Sequence, residues 1–148
     1  QVRALIDNLT GYVLDPRYQR LPEGYGYFRT QDRRFFAAGW SIHLPGYWGG
    51  FTDLDDWQAG MLVQRMELMT AFQPAKSHPW LRSALSYLES FKTGTGTYLF
   101  PRRLLRESAS GYWVSGAYMG IEENRRSRLS LELESTFRML LLKRAMQS

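Results

Sequence analysis

The stretch TDLDDWQAGMLVQRMELMTAF, Thr52 to Phe72, carries the strongest structural signal in the sequence. Thr52 or Asp53 is suited to cap a helix, and Asp55 and Asp56 in a first helical turn favour the helix dipole. Its apolar residues point nearly all the way round a helix: Trp57, Met61, Leu62, Val63, Met66, Leu68, Met69 and Phe72. This pattern predicts a helix that is buried on most sides.

Three other stretches have the periodicity of amphipathic helices. They are QVRALIDNLTGYV, ending near Gly11, WLRSALSYLESF, starting at Trp80, and SRLSLELESTFRMLLLKRAM, starting at Ser127. One side of the last helix is formed by Leu129, Leu133, Phe137, Leu140 and Leu141. Shorter helices are predicted from about Thr30 to Ala38 and from Pro101. The sequence therefore predicts an all-α fold with glycine- and proline-rich loops.

Two Gly-x-Gly stretches, GYGYF from Gly24 and GTGTY from Gly94, lie seventy positions apart. Each follows an amphipathic helix and precedes a short basic segment, a loop rich in glycine and aromatic residues, and a long apolar helix. This order predicts a single helical-repeat domain over residues 1–148, with one helical hairpin in about 1–75 and a second in 76–148. Such hairpins suit a partial α/α toroid or solenoid, or a fragment of a larger toroid.

An incomplete ring exposes the apolar edges of its terminal helices. We therefore expect another domain or another protein copy to cover those edges.

The composition limits the possible functions. With 148 residues and 44% hydrophobic content the chain can form one domain with a core, which excludes a disordered chain. The 15% aromatic content predicts a core of large rings or an aromatic-lined cavity. A net charge of +5 allows an anionic partner without requiring one. The absence of cysteine excludes disulfides and favours a cytoplasmic location.

The hairpins and aromatic loops resemble the α/α toroid repeats of the terpenoid cyclase and protein prenyltransferase superfamily. Triterpene cyclases repeat a motif of a basic residue and Gly, an aromatic residue, Gln, and Gly-x-Trp. The residues that follow this order are Gly24, Phe28, Gln31, Gly39 and Trp40. Glu23 stands where the motif has its basic residue, and Pro101 replaces the Gln in the second copy. The resemblance implies a helical toroid.

The sequence DLDD, Asp53 to Asp56, is the sharpest chemical lead. It is similar to the Asp-x-Asp-Asp motif of class II terpene cyclases, whose central Asp protonates an alkene or epoxide. The resemblance implies that Asp55 is the acid and that Asp53 and Asp56 tune it. The alternative is that these residues cap a helix. The second repeat has Glu122 to Asn124 at the equivalent place, which capping explains and catalysis does not.

Six aromatic residues in the glycine-rich loops form a second lead. They would line a pocket for an apolar or cationic small molecule, or pack as core. They are Trp40, Tyr47, Trp48, Tyr112, Trp113 and Tyr118.

Arginine pairs form a third lead, at Arg33 and Arg34 and at Arg102 and Arg103. Near aromatic residues they would bind an anionic small molecule or nucleic acid, and otherwise they form a solvated, paired face. Since no recognised nucleic-acid motif is present, nucleic acid ranks behind the other partners.

Cofactors and metals have little support in the sequence. His43 and His78 each lie near a proline in a loop without a neighbouring His or Cys, so we expect structural roles and no metal site. Neither Gly-x-Gly stretch has the third glycine of a dinucleotide fingerprint, so no cofactor is expected. No apolar run reaches the ~18 residues of a membrane span.

Three functional hypotheses follow. The first is a toroid-like helical-repeat domain that acts as a binding or assembly element. The second is a terpenoid-cyclase-like enzyme with an acidic Asp in an aromatic cavity. The third is a nucleic-acid binder that uses its arginine pairs. In the enzyme, Asp55 would point into a pocket walled by the aromatic residues.

Overall fold

In the computed structural model, the described residues are 1–22, 25–40, 42–105 and 127–148, and the side chains of 25–28 and 37–40 are not described. The described chain is mainly helical, which confirms the all-α prediction in its coarse form. It divides into two compact units, Gln1–Leu44 and Pro45–Ser148. The predicted repeats divide near residue 75 instead, and the repeat and toroid arrangement stays a prediction.

The first unit begins with helix α1, Val2–Leu14, followed by a 3-10 turn, Tyr18–Arg20. The helix continues past Gly11, where we predicted its end, and stops at Asp15, whose backbone is extended. The side chain of Gln19 then connects the end of α1 to the last residues of the unit. Its amide nitrogen donates to the carbonyls of Val13 (2.7 Å) and Ile42 (3.1 Å), and its amide oxygen accepts from the N–H of Leu44 (2.8 Å).

A β-hairpin occupies the rest of the first unit, where strand β1, Tyr25–Arg29, pairs antiparallel with β2, Phe35–Trp40. The predicted helix from Thr30 to Ala38 is therefore wrong. Aromatic residues, which favour extended backbone, occupy both strands, and the intervening segment closes a turn. In that turn the N–H of Arg33 donates to the Thr30 carbonyl (2.9 Å).

In residues 45–105 and 127–148, the described part of the second unit, there are four α-helices and one 3-10 helix. They are α2, Asp56–Met69; α3, Gln73–Lys76; α4, Pro79–Glu89; the 3-10 helix Arg102–Leu105; and α5, Arg128–Gln147. Helix α2 contacts α4, α5 and the 3-10 helix, so it lies centrally, as its apolar residues predicted. Trp57 and Leu68 depart from that prediction because they are exposed. The largest fully buried side chains include Leu62, Met66, Leu81, Leu88, Phe100, Leu104, Met139 and Leu142.

The loop before α2 is fixed by a glycine and a tryptophan. Gly46 has φ +73°, and a Cβ on it would lie 2.6 Å from the Gly50 carbonyl oxygen, so only glycine fits there. The indole N–H of the buried Trp80 donates to the Pro45 carbonyl at 2.8 Å. This bond connects α4 to the start of the loop.

The two Gly-x-Gly stretches do not form the same local structure. Gly26 lies in β1 opposite Gly39, beside a register irregularity. Gly94 and Gly96 lie in a tight turn, closed by a bridge between Lys92 and Tyr98. The described residues of the two stretches therefore differ in local structure, one lying in a strand and the other in a turn.

Candidate functional site

The DLDD motif caps α2. The Asp55 carboxylate accepts a hydrogen bond from the N–H of Gln58 at 2.7 Å, so the cap lies two or three residues beyond the predicted Thr52 or Asp53. Asp53, Asp55 and Asp56 are all exposed, while Leu54 between them is buried. This placement matches the capping alternative, and catalysis by Asp55 stays a prediction.

Arg103, one of the predicted anion-binding residues, lies beside this motif. Its guanidinium donates to the carbonyl oxygens of Leu54 and Thr52, both at 3.2 Å. These bonds fasten the 3-10 helix to the segment that leads into α2. Arg102 is exposed on the same short helix. The Arg103 guanidinium therefore binds backbone carbonyls of its own chain.

Of the six predicted pocket aromatics, the structure describes two side chains. Tyr47 stacks on the imidazole of His78, with centroids 5.8 Å apart, and contacts Trp48 at 5.2 Å. Trp48 is 54% exposed. The Trp40 side chain and all of Tyr112, Trp113 and Tyr118 lie outside the described part of the chain, so a shared pocket stays a prediction.

The other predicted anion-binding pair, Arg33 and Arg34, is exposed at the end of the β-hairpin. Arg34 forms an ion pair with Asp32 at 3.0 Å. Arg33 has a positive φ of 63°, which suits the end of a tight turn. The structure therefore places the two arginine pairs in different compact units.

The two histidines have structural surroundings. The Nδ1 atom of His78 accepts the N–H of Trp80 at 3.2 Å and so caps α4, and partial burial lowers the pKa of His78. His43 lies edge-on to Tyr18, with centroids 6.0 Å apart. Within the described ranges, no three His, Cys, Asp or Glu side chains gather as metal ligands would.

Helix α5 has two opposite faces that differ sharply in exposure. We define its outer face as Leu129, Leu133, Phe137, Leu140, Leu141 and Arg144, which share one side of the helix. All six are exposed, Leu129 by 67% and Leu140 by 57%. The inner face is buried and consists of Leu131, Glu134, Ser135, Met139 and Leu142. Large apolar residues are thus exposed on this terminal helix, while the incomplete ring from which we predicted exposed edges stays a prediction.

The inner face is partly polar because some of its side chains form hydrogen bonds with the backbone of a neighbouring segment and one of them is a buried carboxylate. The Phe100 N–H donates to the Ser135 hydroxyl (3.0 Å), and the Tyr98 N–H donates to the Thr136 hydroxyl (2.9 Å). Ser135 in turn donates to the Leu131 carbonyl (2.6 Å). These side chains therefore satisfy the extended segment before the 3-10 helix, as a neighbouring strand would.

A buried ion-pair cluster joins α5 to α2. Arg138 pairs with Glu134 at 2.8 Å and with Glu67 of α2 at 2.9 Å, and the Glu134 side chain is fully buried. Burial disfavours the charge on Arg138, but the two carboxylates outweigh this effect and raise its pKa. A cavity of about 10 Å³ adjoins Arg138, Glu67 and Gln64, about enough for one water molecule.

A second cluster joins the end of α4 to α5. Lys143 donates to the Tyr98 hydroxyl (2.6 Å) and pairs with Glu89 (2.5 Å), and Tyr98 donates to Glu89 (2.7 Å). Burial raises the pKa of Glu89, but the bonds from Lys143 and Tyr98 outweigh it, so the net pKa is lowered. The hydrogen bonds to Glu89 and Tyr98 raise the pKa of Lys143. Sequence reasoning missed both clusters. Glu134 and Arg138 have helical i,i+4 spacing, but Glu67 lies 71 positions from Arg138 and Tyr98 lies 45 positions from Lys143.

The first unit also exposes an apolar helix face. On α1 the exposed residues are Val2, Leu5, Ile6, Leu9 and Tyr12, with Val2 72% exposed. Both terminal helices of the chain therefore present large apolar side chains to solvent.

A comparison with protein-family models, with curated proteins and with solved structures found no significant match. The likeness to the toroid superfamily therefore rests on the sequence motifs and stays a prediction. Among the described residues, no helix combines the length and the apolar character needed to cross a membrane.

Proposed function

We propose that this protein is a helical binding and assembly element that works through the exposed apolar face of α5. The observation that carries the proposal is the exposure of the outer face, while the opposite face of the same helix is packed in the second unit. An exposed row of large apolar side chains, on a helix whose opposite face is already packed, is characteristic of a surface that a partner covers.

Burial of this face by a partner is energetically favourable. Burying a Leu side chain stabilises by about 1.5–3 kcal/mol, and the outer face offers four leucines and a phenylalanine. Contiguous exposed apolar surface of this kind marks interaction sites. The exposed face of α1 adds a second surface of the same character.

We do not extend the proposal to catalysis. The Asp55 carboxylate accepts the Gln58 N–H at 2.7 Å and is exposed, which accounts for its position at the start of α2. An acid that protonates an alkene needs a dry, enclosed surrounding that keeps it protonated. The enzyme therefore remains the alternative function.

Thiol labelling tests the proposal, because the chain has no cysteine of its own. Leu140→Cys places a thiol on the outer face, and Arg82→Cys places a control thiol on the exposed side of α4. In cells that naturally produce the protein, a permeant maleimide should label Arg82→Cys much faster than Leu140→Cys. Equal labelling of the two thiols would contradict the proposal.

A further inference from the structure

We infer that the outer face of α5 pairs with the same face of a second copy of this chain, the two helices running antiparallel about a two-fold axis near Phe137. This inference rests on the proposed function and names its partner. Its basis is the order of apolar and charged residues along the exposed side of one helix.

The apolar residues are arranged symmetrically about the centre of the face. Leu133 and Leu140 lie at nearly equal distances on either side of Phe137, and so do Leu129 and Arg144. An antiparallel partner thus places Leu133 against Leu140 of the other copy and Phe137 against Phe137. At the ends, the aliphatic stem of Arg144 covers Leu129. The same patch serves both copies, as a two-fold interface requires.

The charges beside this face are complementary in the same arrangement. At 100° per residue, Glu132 and Lys143 lie on one flank of the outer face and on opposite sides of Phe137. Rotation about the two-fold axis keeps that flank on one side, so Glu132 of each copy faces Lys143 of the other. Both side chains are half-buried by contacts within their own chain, which leaves part of each exposed.

A parallel pairing is disfavoured by the same residues. It would place the two Arg144 side chains, which lie near the middle of the outer face, together at one end of the interface. Like charges so placed repel each other. The antiparallel arrangement separates the two Arg144 residues by the length of the face, about 22 Å at 1.5 Å per residue.

The size of the face sets the expected strength of the pair. One helix face about 22 Å long gives an interface at the small end of the range for specific complexes. We therefore expect a reversible dimer whose population rises with protein concentration.

Crosslinking of engineered thiols tests this arrangement in the full chain. In an antiparallel pair the two residues 137 lie face to face, so Phe137→Cys should form a covalent dimer with a short bis-maleimide. The two residues 129 lie about 24 Å apart along the helix axis, beyond the reach of that reagent. Leu129→Cys alone should therefore form no covalent dimer, and an equal mixture of Leu129→Cys and Arg144→Cys should crosslink.

Each outcome has a defined meaning once circular dichroism shows that the variants fold. Self-crosslinking of Leu129→Cys would overturn the antiparallel arrangement. If Phe137→Cys does not crosslink while the Leu140→Cys thiol is protected in the producing cells, the pairing of copies is wrong and the proposed function stands. If neither crosslinking nor protection is seen, both are wrong.

Discussion

The two faces of α5 reverse the usual relation between polarity and burial. The outer face has more apolar residues, Leu129, Leu133, Phe137, Leu140 and Leu141, and it is exposed. The inner face includes Glu134 and Ser135, and it is buried. The difference shows that a strongly apolar stripe identifies a surface that a partner buries. Which face packs in the core of the chain depends instead on the hydrogen-bond and ion-pair partners within the same chain.

The polar inner face is stabilised by partners that the sequence pattern does not show. Ser135 and Thr136 bind the backbone of Tyr98 and Phe100, and Arg138 neutralises Glu134. A buried polar group costs little when its hydrogen bonds are made and much when they are lost. Substitutions on the inner face should therefore lower the free energy of unfolding by a large amount, and substitutions on the outer face by a small amount.

The largest effect is expected at Arg138. Replacing it with Met leaves the fully buried Glu134 carboxylate without its cation, so the free energy of unfolding should fall by about 3–5 kcal/mol. Chemical denaturation measures the change. Arg82→Met, on the exposed side of α4, is the matched control and should change stability by less than about 0.5 kcal/mol. Equal effects for the two substitutions would show that the cluster does not stabilise the fold.

Two adjacent residues compare the faces directly. Met139 is completely buried and Leu140 is 57% exposed. Met139→Ala should cost about 2–5 kcal/mol of unfolding free energy because it leaves a cavity. Leu140→Ala should cost less than about 0.5 kcal/mol when the chain is dilute enough to be monomeric. A larger loss for Leu140→Ala than for Met139→Ala would reverse the assignment of the two faces.

Ser135 tests whether the polar part of the inner face is structural. Ser135→Ala leaves the Phe100 N–H without its acceptor in a buried position, which should cost about 1–3 kcal/mol. Ser86→Ala on the exposed side of α4 is the control. Denaturation curves of the two variants that coincide would mean that the bond from Phe100 contributes nothing.

The smallest effect is expected at the edge of α5, in the cluster of Lys143, Glu89 and Tyr98. The pKa of Glu89 is lowered in the folded chain, so its contribution to stability is present above the unfolded pKa and is lost as the pH falls through the folded pKa. Because the ion pair is partly exposed, this contribution should be about 0–1 kcal/mol.

The matched variant for this edge is Lys143→Met, which removes the cation and keeps the stem. Unfolding free energies should be measured from about pH 7 down to about pH 3. Wild type should lose stability more steeply than Lys143→Met over the acid part of that range. Parallel pH profiles would show that Lys143 does not lower the pKa of Glu89.

The sequence predicted the elements with strong periodicity. The stretches that form α2, α4 and α5 were predicted because their apolar residues recur at helical spacing over three or more turns. The β-hairpin was missed because its strands, of 5 and 6 residues, are too short for periodicity to distinguish them from the predicted helix from Thr30 to Ala38. The cap of α2 was placed too early, since several acidic residues precede the helix and only the backbone decides which one reaches Gln58.

The candidate surface was predicted only in part. The apolar stripe of α5 followed from periodicity, whereas the exposure of terminal helix edges was inferred from an incomplete ring. The ion pair of Arg138 with Glu67 did not, because the two residues are 71 positions apart and only the packing of α5 on α2 brings them together. Which side of α5 meets the core is likewise decided by tertiary contacts.

Sedimentation equilibrium of the wild-type chain and Leu140→Glu tests the central claim most directly, since it asks whether the outer face of α5 pairs with the same face of a second copy. Wild type and the control Ser86→Glu, which adds the same charge on α4, should both approach twice the chain mass as the concentration rises. Leu140→Glu should remain at the mass of one chain. A wild-type chain that stays monomeric up to about 1 mM, where even weak interfaces associate, would contradict the account.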